Sequence, residues 1–237
     1  MHRITILWII LICLAHSVVG QTNIVWTPGD TLSRRQLAVT DPDSLFRARP
    51  IDDGVFRRMW LKTYKRGCTT RRRDLRYLRL LHVNTAGQTQ MGELVCHKSI
   101  AADLLDIFRR LYRAGYRIER IVLPDNYNAD DETSMAANNT SCFNFRSIRG
   151  SKKISRHSLG LAVDINPRYN PCVHRNSGLV EPANGKPFAH NRRPKNAASL
   201  PVKLIDKQDL CYKLFIAHGF RWGGDWKTSV DYQHFEK

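Results

Sequence analysis

The sequence is poor in acidic residues and has no internal repeat or low-complexity tract. It contains 21 Asp and Glu against 38 Lys and Arg, which gives a formal net charge of +17. The absence of repeats excludes an architecture built by stacking a short unit. Hydrophobic residues make up 42% of the 237 positions, which is typical of a folded globular protein and not of a disordered one. We therefore expect one main domain with a packed core.

No apolar run is long enough to be a comfortable membrane span. The longest lies between Ile4 and Ala15, follows Arg3 and is followed by small residues up to Gly20. This layout is typical of a secretory signal peptide. An uncleaved anchor or a buried strand is the alternative. We predict that residues 1–20 are a signal peptide and that the protein is exported, to the periplasm or the extracellular space.

Cysteine is scarce, and no pair of cysteines has zinc-finger spacing. Loss of the signal peptide would leave five cysteines, which are Cys68, Cys96, Cys142, Cys172 and Cys211. An oxidising compartment favours disulfides. With an odd number of thiols, however, one cysteine stays free. We predict a bridge between Cys142 and Cys172, because each lies a few residues from a motif described below.

The excess positive charge is concentrated between Arg57 and Arg76, in RRMWLKTYKRGCTTRRRDLR. Charge of this size favours attraction to polyanions. Because the chain is predicted to be exported, we expect anionic polymers of the cell envelope as partners, and we expect no nucleic acid. A solvated basic face that only aids solubility is the alternative.

Hydrophobic periodicity predicts both strands and helices. The strand candidates are Leu75–Val83, Gly92–Cys96, Ile118–Leu123, Leu161–Ile165 and the C-terminal DYQHFE. The helix candidates run from Ile100 to Leu111 and from about Asp206 to His218. No repeating strand–helix–strand unit connects them. The sequence therefore predicts an α+β fold with a small antiparallel sheet flanked by helices.

Two polar segments lack such periodicity. Residues 21–60 contain several Pro and Gly turn signals in their first thirty positions, and we interpret them as a basic N-terminal arm or linker. The segment Pro124–Thr140 is predicted to be a loop, and its length suggests function rather than simple connection. The rest of the chain, residues 61–237, is predicted to be the main domain.

The segment SRHSLGLAVDINP places His157 and Asp164 seven positions apart in a short apolar run. On one helix these residues would be separated by about 10 Å along the axis. Ligands of one zinc ion lie about 2 Å from it, so a single helix is excluded. A turn at Gly160 would fold His157 back over a strand that carries Asp164. The spacing therefore favours a metal site made from a loop and a strand.

The C-terminal segment WGGDWKTSVDYQHFE supplies Asp231 and His234 beside two tryptophans, Trp222 and Trp226. Residues 232 and 234 share one face of a strand, so Asp231 is expected on the preceding turn, near a metal but not bound to it. Two imidazoles and one carboxylate with an open fourth position form a catalytic zinc set. A second carboxylate beside that position can act as the general base. A turn-capping role is the alternative for Asp231, and the tryptophans fit a core or a cleft wall.

Together, S-x-H-x-x-G-x-A-x-D at Ser155 to Asp164 and D-x-x-H at Asp231 to His234 closely resemble the D-alanyl-D-alanine carboxypeptidase-like zinc peptidases. This family includes VanY-type carboxypeptidases and phage L-alanyl-D-glutamate endolysins. The resemblance extends upstream through DDETSMAANNTSCFNFR and GELVCHKSIA and covers about residues 75–237. It implies a single catalytic domain of the hedgehog/DD-peptidase type over residues 61–237.

The resemblance also implies a role for each motif residue. The implied ligands of one zinc ion are His157, Asp164 and His234. Asp231 is implied to be the catalytic base, where many family members have glutamate and one branch has aspartate. Arg146 is implied to be both catalytic and substrate-binding, and Ser155 to bind substrate. A surface cation is the alternative for Arg146.

The resemblance implies a secreted, zinc-dependent peptidase that hydrolyses an amide bond in the stem peptides of peptidoglycan. Carboxypeptidase action at D-Ala-D-Ala and endopeptidase action at L-Ala-D-Glu use the same metal set, so the sequence leaves the bond open. The alternative is a non-catalytic module on the same fold that binds cell wall or polyanions.

Overall fold

Residues 24–189 and 199–237 are described by a computed structural model of the chain. The predicted signal peptide, residues 1–20, lies outside the described residues and stays a prediction. No helix among the described residues is long and apolar enough to cross a membrane.

The secondary structure of the described residues is a mixture of short helices and strands. The α-helices are α1 (Arg34–Ala38), α2 (Asp53–Met59), α3 (Ala101–Arg113), α4 (Asp131–Ala136) and α5 (Leu210–Ala217). The strands are β1 (Arg47–Pro50), β2 (Leu75–Val83), β3 (Thr89–His97), β4 (Ala162–Asp164), β5 (Cys172–His174), β6 (Val180–Glu181), β7 (Arg221–Trp222), β8 (Ser229–Asp231) and β9 (His234–Glu236). The predicted α+β class is confirmed.

The largest sheet has the order β1-β2-β3 and carries the main core. The predicted strands over residues 75–83 and 92–96 lie in β2 and β3, which form an antiparallel hairpin, and Gly87 adopts a φ of +80° in its turn. The amphipathic helix α3 packs on β2 with Leu104, Ile107 and Phe108 fully buried. The helix predicted over residues 100–111 is therefore confirmed. The second predicted helix is shorter than expected, since α5 begins at Leu210 and ends at Ala217.

Two further sheets, each with three short strands, stand where a single small sheet was expected. Their orders are β4-β9-β7 and β6-β5-β8, and all pairings are antiparallel. The register places Asp164 directly opposite His234, and Cys172 directly opposite Asp231. Strand pairing thus brings the motif at residues 231–234 next to the motif at residues 155–164.

The N-terminal segment contributes to the core instead of forming a loosely packed arm. β1 pairs with β2, and Phe46, Ile51 and Val55 are buried. The interpretation of a linker is wrong for these residues. Their apolar side chains are irregularly spaced in the sequence, so no periodic pattern indicated that they fill the core. The predicted boundaries at residues 20 and 60 stay predictions.

The strand predicted over residues 118–123 is wrong, because this extended segment forms only isolated bridges. Side chains take some of the hydrogen bonds that a neighbouring strand would make. The amide nitrogen of Val122 donates to Oδ1 of Asn139 at 2.9 Å, and that of Leu123 donates to Oε1 of Glu93 at 3.3 Å. The predicted loop that follows contains α4 and a 3-10 turn, Pro124–Tyr127.

The predicted disulfide between Cys142 and Cys172 is wrong, since all five cysteines of the described residues are free thiols. Cys142 lies in the main core, with its Sγ 3.6 Å from the carbonyl oxygen of Gly160. Cys172 lies on β5, with its Sγ 3.8 Å from Nε2 of His174. Cys142 belongs to the main core cluster and Cys172 does not, a difference that closeness in sequence to the motifs does not reveal.

Candidate metal centre

A short 3-10 turn, Arg156–Leu159, positions His157. The hydroxyl of Ser155 accepts the backbone N–H of His157 at 3.3 Å and caps the turn. Gly160 ends the turn with a φ of +66°, and a Cβ at this position would lie 2.7 Å from the backbone nitrogen of His97. Glycine is therefore needed both for the left-handed backbone and for the close approach to β3. The reversal expected at Gly160 is observed.

The side chains of His157, Asp164 and His234 converge. Nε2 of His157 lies 3.2 Å from Nδ1 of His234, and each of these nitrogens lies 3.1 Å from an oxygen of Asp164. All three residues are buried. Among the described residues they are the one such group whose ligand atoms lie this close together. Ligand atoms about 2.0–2.1 Å from a tetrahedral ion are about 3.3–3.4 Å apart, so the spacing fits zinc.

Hydrogen bonds on the far side of each imidazole fix which nitrogen faces the centre. Nδ1 of His157 donates to the carbonyl oxygen of Cys142 at 2.6 Å. Nε2 of His234 lies 3.2 Å from Oε2 of Glu236, whose Oε1 accepts a hydrogen bond from Arg221 at 2.7 Å. His157 Nε2 and His234 Nδ1 are therefore the ring nitrogens left to bind a metal, in the manner of metal-binding histidines.

Asp164 and His234 each change the protonation of the other. Burial alone raises the pKa of Asp164, but the adjacent His157 and His234 outweigh burial and lower it below its usual range. Burial alone lowers the pKa of His234, but its hydrogen bonds to Asp164 and Glu236 raise it to about 10. A metal ion would replace the proton that these groups share, so we expect binding to release protons.

Asp231 lies beside this group without joining it. It ends β8, in a different sheet from His234, and not on the turn that the sequence predicted. Gly223 packs so closely that a Cβ there would lie 2.7 Å from the carbonyl oxygen of Asp231 and 3.1 Å from Cβ of His234. Among the described residues, Oδ1 of Asp231 has no hydrogen-bond partner although it is buried. Burial, the largest cause, raises the pKa of Asp231 to about 6, and the positive charge of His234 partly opposes this rise.

Arg146 lies on the segment that leads to the 3-10 turn. Its backbone nitrogen donates to Oγ of Ser158 at 2.7 Å, and its carbonyl oxygen accepts the N–H of Ser155 at 3.1 Å. Its guanidinium pairs with Asp131, with an N–O distance of 2.7 Å. The structure thus fixes the backbone of Arg146 against the loop that carries His157.

The family model of D-alanyl-D-alanine carboxypeptidases matches residues 149–237. Over this segment, the chain is similar to the D-alanyl-D-alanine carboxypeptidases. The resemblance seen in the motifs is thereby confirmed for these residues, which are less than half of the chain. The carboxypeptidase-like segment contains the three converging side chains and Asp231, whereas Arg146 lies just before it. No curated protein and no solved structure matches the chain.

Two tryptophans of the carboxypeptidase-like segment occupy different surroundings. Trp222 is buried in the main core, and its Nε1 donates to the carbonyl oxygen of Tyr232 at 3.0 Å. Trp226 is 38% exposed, and its ring centroid lies 5.1 Å from that of His234. Trp226 therefore forms one wall beside the candidate metal centre.

Sequence reasoning did not single out Glu236 or Asp131. Glu236 follows His234 by two positions on a strand, and such residues share a face, so the pattern contained a signal for it. Asp131 lies fifteen positions before Arg146 in an acidic run, DDET. No spacing rule connects Asp131 to Arg146, because tertiary packing of α4 brings them together. Ser155 was predicted to bind substrate. In the structure its hydroxyl caps the His157 turn, and its predicted role stays a prediction.

Proposed function

We propose that the protein is an exported, zinc-dependent peptidase that hydrolyses an amide bond in the stem peptides of peptidoglycan. The supporting observation is the convergence of three buried ligand atoms within the carboxypeptidase-like segment. The proposed zinc ligands are His157, Asp164 and His234. The fold we propose is that of the hedgehog/DD-peptidase type.

In this proposal the chain supplies the proton transfers and the charge stabilisation. A zinc ion held by the three ligands would lower the pKa of a bound water to about 7. Asp231 would accept a proton through its unpartnered Oδ1 and would return it to the departing amine. Arg146 donates hydrogen bonds to the oxygen on which negative charge develops.

The basic segment between Arg57 and Arg76 is proposed to hold the enzyme against anionic envelope polymers. Arg57, Lys65 and Arg66 are exposed, as is Arg73. Exposed cations attract a polyanion over about 10 Å at 0.1 M salt, which suits retention on a large wall fragment better than recognition of a short peptide.

The test is digestion of purified wall stem peptides by the zinc-loaded protein, with product masses as the readout. We expect one new pair of products, whose masses identify the bond. A chelator should abolish them, and added zinc should restore them. If the protein binds zinc and wall fragments but yields no product, it is a non-catalytic binding module and the proposal fails.

A further inference from the structure

The contact between Asp131 and Arg146 lies at the edge of the candidate metal centre. Asp131 is the first residue of α4, and its Oδ2 lies 2.7 Å from a terminal nitrogen of Arg146. The two side chains are 34% and 24% exposed, so both are partly shielded from water. A charge pair with this geometry retains more of its attraction than a fully exposed pair.

Arg146 has donors left after it pairs with Asp131. Its Nε is buried and has no partner among the described residues. Its backbone is fixed on both sides by Ser155 and Ser158, which flank His157. The unpaired N–H is thus held in place and is suited to an uncharged acceptor such as an amide carbonyl.

Two other arginines of the carboxypeptidase-like segment also pair with acidic side chains. Arg149, three residues beyond Arg146, pairs with Glu181 of β6. Arg221 of β7 pairs with Glu236 at 2.7 Å. A substrate that ends in a carboxylate beside Arg146 would compete with Asp131 for the guanidinium. An amide would meet no such competition.

We propose that Asp131 is a specificity-determining residue: by pairing with Arg146 it makes the site favour an internal amide over a terminal carboxylate next to the scissile bond. The inference rests on the proposed function and deepens it, because it assigns endopeptidase rather than carboxypeptidase action. Asp131 acts through Arg146 and is a positioning residue, not a catalytic one.

The experiment compares two synthetic stem peptides that are identical up to and including the first residue after the scissile bond. In one peptide that residue is the last and carries a free carboxylate. In the other peptide an amide bond joins it to a further residue. For the wild type we expect kcat/KM to be at least about tenfold higher on the amide peptide, as one uncompensated charge would give. Asp131→Asn should reduce this ratio about tenfold by freeing the charge of Arg146. Asp131→Glu should keep the wild-type ratio.

Asp130→Asn is the matched control. Asp130 is the exposed neighbour that caps α4 through the backbone N–H of Thr133, and asparagine caps equally well. Zinc content and melting temperature are measured for every variant. An Asp131→Asn variant that slows both peptides equally shows a purely structural role and overturns the inference.

The wild-type ratio decides the matter even if Asp131→Asn does not fold. A wild type that prefers the free carboxylate overturns the inference and leaves the proposed function intact. A wild type that binds zinc and cuts neither these peptides nor natural wall peptides overturns the proposed function itself.

Discussion

Nε2 of His157 and Nδ1 of His234 face each other at 3.2 Å, although 77 residues separate the two histidines in the chain. The opposite nitrogen of each ring is already engaged, by the carbonyl oxygen of Cys142 and by Glu236. Each of the two facing nitrogens also lies 3.1 Å from an oxygen of Asp164. The pair is therefore the organising feature of the site.

Replacing His157 should remove the metal. We expect about one equivalent of zinc in the purified wild type and almost none in His157→Ala, because two of the three protein ligands cannot hold the ion tightly. His97→Ala, which removes an imidazole that hydrogen-bonds Ser99 instead of the centre, should retain zinc. Elemental analysis measures both. Equal zinc content in wild type and His157→Ala would reject the ligand assignment.

Replacing Asp231 should separate catalysis from metal binding. Asp231→Asn should keep its zinc and lose at least about 100-fold in kcat, since the amide cannot accept the proton of the attacking water. Product formation from wall peptides and zinc content are measured on the same sample. If zinc is lost together with activity, Asp231 is a ligand and not the base.

Replacing Glu236 should weaken zinc binding without unfolding the protein. Glu236→Gln keeps the side-chain shape but removes the negative charge opposite Nε2 of His234. Loss of such a partner typically costs about 10–100-fold in metal affinity. Asp103→Asn is the matched control, because it removes the carboxylate that pairs with the next residue, Lys237. Competition with a chelator gives the affinities, and unchanged affinity in Glu236→Gln would contradict the prediction.

His82 should make the protein sensitive to acid. Burial lowers the pKa of His82 to about 4, against the hydrogen bond from its Nδ1 to the carbonyl oxygen of Ile118. Below about pH 6.5 His82 is protonated in the unfolded chain but stays neutral in the folded chain. The free energy of unfolding therefore falls as the pH drops toward 4. The fall is at most about 3 kcal/mol.

Urea unfolding of wild type and His82→Gln across this pH range isolates the effect, since contributions of all other groups are common to both proteins. As the pH falls, the unfolding free energy of the wild type should decrease relative to that of the variant. A difference that is constant with pH would show that His82 does not titrate as described.

The basic segment should govern attachment to whole walls and not cleavage of soluble peptides. Arg57, Arg66 and Arg73 are exposed, so replacing them together by glutamine should weaken attachment to walls. Raising salt from roughly 0.05 to 0.5 M, which shortens the screening length about threefold, should do the same. Arg72 is left unchanged because its guanidinium binds the carbonyl oxygen of Ile51 at 2.8 Å. Loss of soluble-peptide cleavage in the folded, zinc-loaded triple variant would place these arginines in the active site.

Local chemistry made part of the site predictable. For His157 and Asp164, seven positions apart, to bind one metal, the chain must turn back between them. Gly160 can adopt the backbone conformation of such a turn without strain, so the loop-and-strand arrangement follows from the sequence. The helix α3 and the hairpin of β2 and β3 likewise follow from periodicities of 3.6 and 2, because each buries one continuous face.

Tertiary structure alone decided the remaining features. The segment 118–123 has the pattern of a strand, but Asn139 and Glu93 satisfy its backbone from elsewhere in the chain. Asp131 meets Arg146 because α4 folds over the loop before His157, and Asp231 meets Cys172 across two strands far apart in sequence. The residues in these contacts are far apart in the sequence, so no helical or strand periodicity connects them. The sequence by itself therefore determined which groups can bind a metal, whereas long-range packing decided which charges surround it.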